Sequence, residues 1–184
     1  AVGFSQPHLP CNTPKSYWDL HEPQSHAQIP NPTKPEDDPE IALHDSRELL
    51  RAAGKDRLTH AQIQELRHGY LASISFLDAQ VGKVVDELDR LKLSDNTIIV
   101  FWSDHGFHLG EQSLWAKTSN FELDARVPLI IALPKTKQAG TKTNSLAELL
   151  DLYPTLVDAC GLPNVTGLEG TSLVPVLKNP KASV

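Results

Sequence analysis

The chain has no methionine, two cysteines, and no apolar run near the roughly 18 residues that a membrane-spanning helix needs. Two thiols, Cys11 and Cys160, cannot make a disulfide framework, and no zinc-ligand spacing occurs. Both are expected to be small, buried or partly buried side chains. The opening AVGFSQPH has no charged leader and no cleavage site, so no signal peptide is read there. It reads instead as the tail of a strand without a start. Together with the missing methionine, this leads us to expect an excerpt from a longer protein. Positive charge is also short. Lys and Arg number 17 against 23 Asp and Glu, and the net charge of -6 argues against the basic face of a nucleic-acid binder. It does not exclude a small anionic substrate, because a few local cations or a metal can hold an anion in an acidic protein. The triplet Asn164-Val165-Thr166 is a glycosylation sequon of a kind common by chance.

Residues 4–40 carry prolines at 7, 10, 14, 23, 30, 32, 35 and 39. Each fixes its own φ and restrains the residue before it, so this stretch is expected to be a long loop laid over a surface. Residues 39–53 read as a short helix or two helical turns. Thr59 and Gln62 have capping-box spacing. Apolar residues then recur in steps of three and four at Ile63, Leu66, Tyr70, Ile74, Leu77, Val81, Val84, Leu88 and Leu91, which predicts a long helix with one buried stripe. After a turn at Ser94-Asp95-Asn96, TIIVFW and later VPLIIAL read as strands covered on both faces. Asp151 is expected to cap a helix that Gly161 ends, and SLVPVL forms a last short turn. This order predicts an α/β layered fold with a largely parallel sheet.

Chemistry concentrates where the first strand stops, at Ser103-Asp104-His105-Gly106. In open α/β sheets functional groups gather beyond the carboxyl ends of strands. Asp104 is a hard oxygen donor suited to Mg²⁺ or Ca²⁺, and His105 is a softer ligand. Gly106 permits a sharp turn. The same residues also suit a capped turn, with Asp104 bonding the backbone two residues on.

The strings SDHGFHLGEQSLWAK and SNFELDARVPLII resemble the sulfatases of the alkaline-phosphatase-like superfamily, and within them most resemble the iduronate-2-sulfatase branch. AVGFSQPHLP, GYLASISFLDAQVGKVVDELD and DLYPTLVDACGLP are similar to the same branch, in the same order. The resemblance implies a layered sandwich around a largely parallel sheet, present here in part across residues 1–184. It implies that Asp104 and His105 belong to a metal site, usually for Ca²⁺, with His105 facing the sulfate or a ligand if not the ion. It implies that Lys117 contacts the sulfate ester and that His8 gives a proton or hydrogen bond to the departing sugar oxygen. Phe107 and His108 would line the substrate mouth, with Trp115 as packing. Gln112 stands where the branch commonly has histidine, which bears on sugar-side specificity. Arg126 would pair with Glu122. His21, His26, His44, His60 and His68 have no pattern and are expected at the surface.

The family's nucleophile is a formylglycine made within Cys/Ser-x-Pro-x-Arg, and neither CNTPK nor CGLPN provides that context. The paired metal-binding aspartates are likewise missing, since Asp37-Asp38 lies in the loop. The expectation is therefore the central-to-late part of a sulfatase domain, inactive alone. Its parent would hydrolyse sulfate esters of a carbohydrate, in a secreted, periplasmic or lysosomal setting. The alternatives are a metal-dependent phosphatase or phosphodiesterase of the same superfamily, and a non-catalytic module that binds sulfated glycans.

Overall fold

The computed structural model describes residues 1–22, 28–51, 54 and 57–182. His26, Pro23 and residues 52 and 53 of the expected helical stretch lie outside the described residues. The elements are α1 (Lys15–Trp18), α2 (His60–Arg90), β1 (Ile99–Trp102), β2 (His108–Leu109), β3 (Trp115–Ala116), α3 (Glu122–Ala125), β4 (Leu129–Ala132), α4 (Leu152–Ala159) and α5 (Val174–Lys178). They fall into two compact units, Ala1–Leu91 with His105–Val127, and Lys92–Asp104 with Pro128–Val184.

In the first unit α2 runs for 31 residues and starts at the expected capping box. Gln62 N–H donates to Thr59 Oγ1 at 3.3 Å, and Thr59 N–H donates to Gln62 Oε1 at 2.9 Å. The face that α2 buries is not the expected one. His68, Gly69, Ala72 and Ser73 are buried, whereas Ile74, Val84 and Leu91 of the apolar stripe are exposed. Small side chains explain the choice, because they let another backbone approach closely. Trp18 lies over Gly69 and stacks on His68 with ring centroids 4.2 Å apart, and Ser73 Oγ donates to the Cys11 carbonyl at 3.1 Å. Periodicity identifies an apolar face but not what will cover another one.

The Pro-rich stretch is thus partly docked, and it holds the short helix α1. Tyr17 meets Phe76 edge-on at 5.2 Å, and His21 Nε2 lies 2.9 Å from Ser75 Oγ. Of the two readings of residues 39–53, the described part, 39–51, gives the turns, a 3₁₀ turn at Glu40–Ala42 and hydrogen-bonded turns over 47–51, and not one continuous helix. β2 and β3 form an antiparallel hairpin, His108 opposite Ala116 and Leu109 opposite Trp115. Its turn needs left-handed backbone at Gly110, φ 107°, where a side chain would strike Ile29. Leu114, Trp115 and Ala116 are buried.

In the second unit β1 and β4 pair antiparallel, from Ile99 opposite Ala132 to Trp102 opposite Leu129. These two strands therefore do not supply the parallel pairing expected of the sheet, nor are they covered on both faces, since Trp102 and Ile130 are exposed. β-Branched composition reports fitness for a sheet, not the direction of the partner. α4 ends as expected. Gly161 has φ 65°, Gly161 N–H bonds the Asp158 carbonyl and Leu162 N–H bonds the Val157 carbonyl, which is a Schellman motif. Asp151 does not cap α4 with its side chain; its carboxylate accepts from Glu148 N–H at 2.8 Å and Thr171 N–H at 2.7 Å. Thr155 Oγ1 donates to the Asp151 carbonyl at 2.6 Å and accepts from Leu173 N–H at 2.8 Å. Val157, Leu173, Val174 and Val176 pack around this pair as the unit's core.

Candidate active site

Lys117 is the first residue after β3, whose Trp115 and Ala116 are buried. The neighbours Ala116 and Thr118 both have positive φ, 69° and 93°, so the chain is sharply bent at the lysine. His8 sits in a turn closed by His8 N–H to the Ser5 carbonyl and Cys11 N–H to the His8 carbonyl. Its Nδ1–H donates to the Leu9 carbonyl at 2.8 Å, which leaves Nε2 as the ring atom that faces Lys117. The two expected residues meet there, with Lys117 Nζ 3.2 Å from His8 Nε2. A third group joins them. Glu48 Oε1 accepts from Lys117 Nζ at 2.9 Å and lies 3.2 Å from His8 Nε2. Lys117 and Glu48 are largely withdrawn from water, at 20% and 29% side-chain exposure, while His8 is about half exposed. A cleft of about 650 Å³ opens beside them, lined by residues 44–48, Trp115, Lys117 and Thr118.

Residues 44–48 are pinned to β3 by one bond, Trp115 N–H to Ser46 Oγ at 3.0 Å, with Ser46 buried. His44 Nδ1 accepts from Ser46 N–H at 3.0 Å, so the ring proton is on Nε2, which is buried and has no hydrogen-bond partner among the described residues. Burial holds the His44 imidazole below its ordinary pKa. Asp124 and Asp45 pull the other way, and His108 and Arg47 add to the depression. The surface position expected for His44 is not what the fold provides; the ring is half-buried because the segment folds it under the cleft.

His108, expected at the substrate mouth, is instead fully buried. Its Nδ1 lies 3.2 Å from Asp124 Oδ1 and its Nε2 lies 3.1 Å from the Gln112 side-chain amide. Asp124 Oδ2 also accepts from Ser119 N–H at 2.7 Å and Ser119 Oγ at 2.6 Å. β2 faces His108 inward, so its role in this chain is to tie α3 to the hairpin, and Gln112 serves that tie. Phe107 stacks on Tyr70 of α2 with centroids 5.3 Å apart. Burial raises the pKa of the Tyr70 phenol.

Asp104 follows β1 and is exposed, in the second unit; His105 opens the next part of the first unit. His105 Nδ1–H donates to the Gly106 carbonyl at 2.7 Å. Gly106 is there for close approach, because a Cβ would lie 1.8 Å from the Leu123 carbonyl oxygen. The Asp104 carboxylate fits a hard divalent cation, whereas the imidazole suits such an ion poorly. Among the described residues no three His, Cys, Asp or Glu side chains gather to hold a metal.

The remaining expectations divide. His60 is exposed as expected, but His68 is buried, its Nε2 2.8 Å from the Trp18 carbonyl oxygen. Arg126 reaches Glu122 at 3.4 Å. Cys11 is buried, and burial raises its thiol pKa; Cys160 is exposed, not buried. Sequence reasoning missed Glu48 and Asp124, and also the half-buried pair Arg67–Glu111 at 3.2 Å. No local signal could have shown Glu48, which faces partners 40 and 69 residues away in the chain.

The Sulfatase family model matches residues 2–162. Iduronate 2-sulfatase of Mus musculus is 35% identical over 196 aligned residues, which cover 89% of this chain and 36% of that protein. The phosphonate monoester hydrolase from Silicibacter pomeroyi superposes with a TM-score of 0.78 at 31% identity, over 96% of this chain and 36% of its own. A protein solved with its substrate D-glucosamine-2-N,6-O-disulfate superposes with a TM-score of 0.63 at 32% identity, over 73% of this chain and 28% of its own. The chain thus spans about a third of the length of the relatives it matches.

Proposed function

The chain belongs to the sulfatase family, with its alkaline-phosphatase-like α/β fold, and on that premise we propose that it is the sulfate- and leaving-group-facing part of an enzyme that hydrolyses sulfate esters of a carbohydrate. The observation that carries this reading is the 3.2 Å approach of Lys117 Nζ to His8 Nε2, made across 109 residues of chain. In this reading Lys117 neutralises charge on the sulfate oxygens as the S–O bond breaks, acting from a site partly withdrawn from water where its charge counts for more. His8, when both ring nitrogens carry a proton, gives the one on Nε2 to the departing sugar oxygen and is left as the neutral ring, its orientation fixed by the bond from Nδ1–H to the Leu9 carbonyl. The similarity to iduronate 2-sulfatase and to the disulfated-glucosamine complex supports a sulfated sugar.

The family works with a divalent metal and a formylglycine. We assign the metal as Ca²⁺, with Asp104 as one of its oxygen donors and His105 turned toward the sulfate or a neighbouring ligand; bound there, the ion would neutralise sulfate charge. The nucleophile and the other donors come from outside these residues, so the 184-residue chain alone is inactive.

The test uses the full-length parent enzyme and a sulfated sugar. Lys117→Ala should lower kcat/KM by about 10²–10³, the cost of removing one preorganised charge-stabilising donor. A loss below roughly threefold would remove Lys117 from the chemistry. The likeness to a phosphonate monoester hydrolase favours one other reading, hydrolysis of phosphorus esters. A higher kcat/KM for phosphonate or phosphate esters than for sulfate esters would select it.

A further inference from the structure

The Lys117–His8 pair is already in contact with an anion, and that anion belongs to the chain. Glu48 Oε1, Lys117 Nζ and His8 Nε2 form a triangle with sides of 2.9, 3.2 and 3.2 Å. One carboxylate oxygen therefore does for these two nitrogens what a substrate sulfate oxygen would do. It lies within hydrogen-bond reach of both and balances an ammonium that is only 20% exposed. His8 has no second atom to offer, because Nδ1 is spent on Leu9. Nε2 must therefore exchange its partner when a sulfate ester arrives, and Lys117, although it has a third N–H to offer, meets that anion against the competing charge of Glu48.

We propose that Glu48 is the resident counter-anion of this pair: it holds Lys117 and His8 together before substrate binds and yields Lys117 to the incoming sulfate. The local construction suits such an exchange. Ser46 fixes the segment to Trp115 N–H, while the Glu48 side chain lines the cleft. The residue is a positioning residue that acts through Lys117, and it sets how tightly the site takes an anion. This inference rests on the sulfatase reading for the identity of that anion.

The two roles open to Glu48 have opposite signatures. If it merely shapes the site, its loss loosens the site and anion affinity falls or stays level. If it competes with the anion, its loss raises affinity. The experiment titrates inorganic sulfate into the 184-residue chain at constant ionic strength, following the labelled Lys117 ammonium and His8 ring by NMR. Glu48→Gln should bind sulfate roughly two- to fivefold more tightly than the unaltered chain, the range expected for releasing a partly exposed ion pair. Lys117→Gln should abolish binding with or without the Glu48 change. Equal or weaker affinity in Glu48→Gln, or no binding by either protein, overturns the proposal. If Lys117→Gln leaves sulfate bound, the sulfate-holding role of Lys117 itself fails, and the proposal fails with it. If Lys117→Gln abolishes binding while Glu48→Gln changes nothing, only the role of Glu48 is lost.

Discussion

Replacing Gly106 by alanine tests whether the loop after β1 is held by close backbone contact. The added Cβ would lie 1.8 Å from the Leu123 oxygen, 2.8 Å from the Leu123 carbonyl carbon and 3.2 Å from Asp124 Cα. All three are backbone atoms, so no side chain can rotate aside. Relief requires the loop and α3 to part by more than about an ångström, the shortfall from ordinary contact. That movement breaks Gly106 N–H to the Asp124 carbonyl, 2.8 Å, and Phe107 N–H to the Leu123 carbonyl, 3.1 Å. Two bonds at about 1 kcal/mol each, plus about 1–2 kcal/mol of residual overpacking, give a destabilisation of about 3–4 kcal/mol. That is a large share of the roughly 5–15 kcal/mol that holds a domain folded. Gly82 is the matched control. It lies inside α2, and a Cβ added there would meet nothing within 4 Å, so Gly82→Ala should gain about 0.5–1 kcal/mol from helix propensity. Urea unfolding of both variants, followed by circular dichroism, provides the comparison. A Gly106→Ala protein within about 0.5 kcal/mol of the unaltered chain would refute the close-contact argument.

Two further outcomes are expected. Arg67 Nη1 donates to the Leu109 carbonyl at 3.0 Å and to Glu111 Oε1 at 3.2 Å, with both side chains about 15% exposed. Arg67→Ala leaves the carboxylate of Glu111 half-dry and should cost about 2–3 kcal/mol, somewhat under the figure for a fully buried pair; a shift in urea midpoint too small to measure would show that the pair contributes nothing. His44 faces Asp124, His108, Asp45 and Arg47, and burial sets its folded pKa below the ordinary 6.5. The unfolded chain therefore takes up the proton first, so this contribution to stability is intact above the ordinary value and declines as pH falls below it. Stability should drop from about pH 7.5 to about pH 5.5, and His44→Gln should flatten that slope; an unchanged slope would mean that His44 does not cause it.

Local chemistry is legible in the sequence, and meeting points are not. The start of α2 can be read because Thr59 and Gln62 satisfy each other within one turn, and the end of α4 because Gly161 alone there accepts φ 65° without penalty. The apolar stripe of α2 is a true stripe but not the buried face, because burial depends on what arrives from residues 11–18. His68 and His108 carry no local mark of burial, since the Trp18 carbonyl and Asp124 that receive them are set by packing. His8 and Lys117 are found through resemblance to a family, not through spacing. Glu48 belongs to neither source and can be identified only in three dimensions.

The bonds around Asp151 and Thr155 have a practical consequence for the segment that they enclose. Thr171 and Leu173 are fastened to one end of α4, and the Schellman turn at Gly161 closes the other. Residues 161–169 between these clasps are exposed without exception. The clasps, not the intervening sequence, keep the two sides in place, so length and composition can change between them at small energetic cost. A fluorophore, an affinity tag or a glycan on Asn164 would ride there as cargo, leaving the folded parts on either side undisturbed.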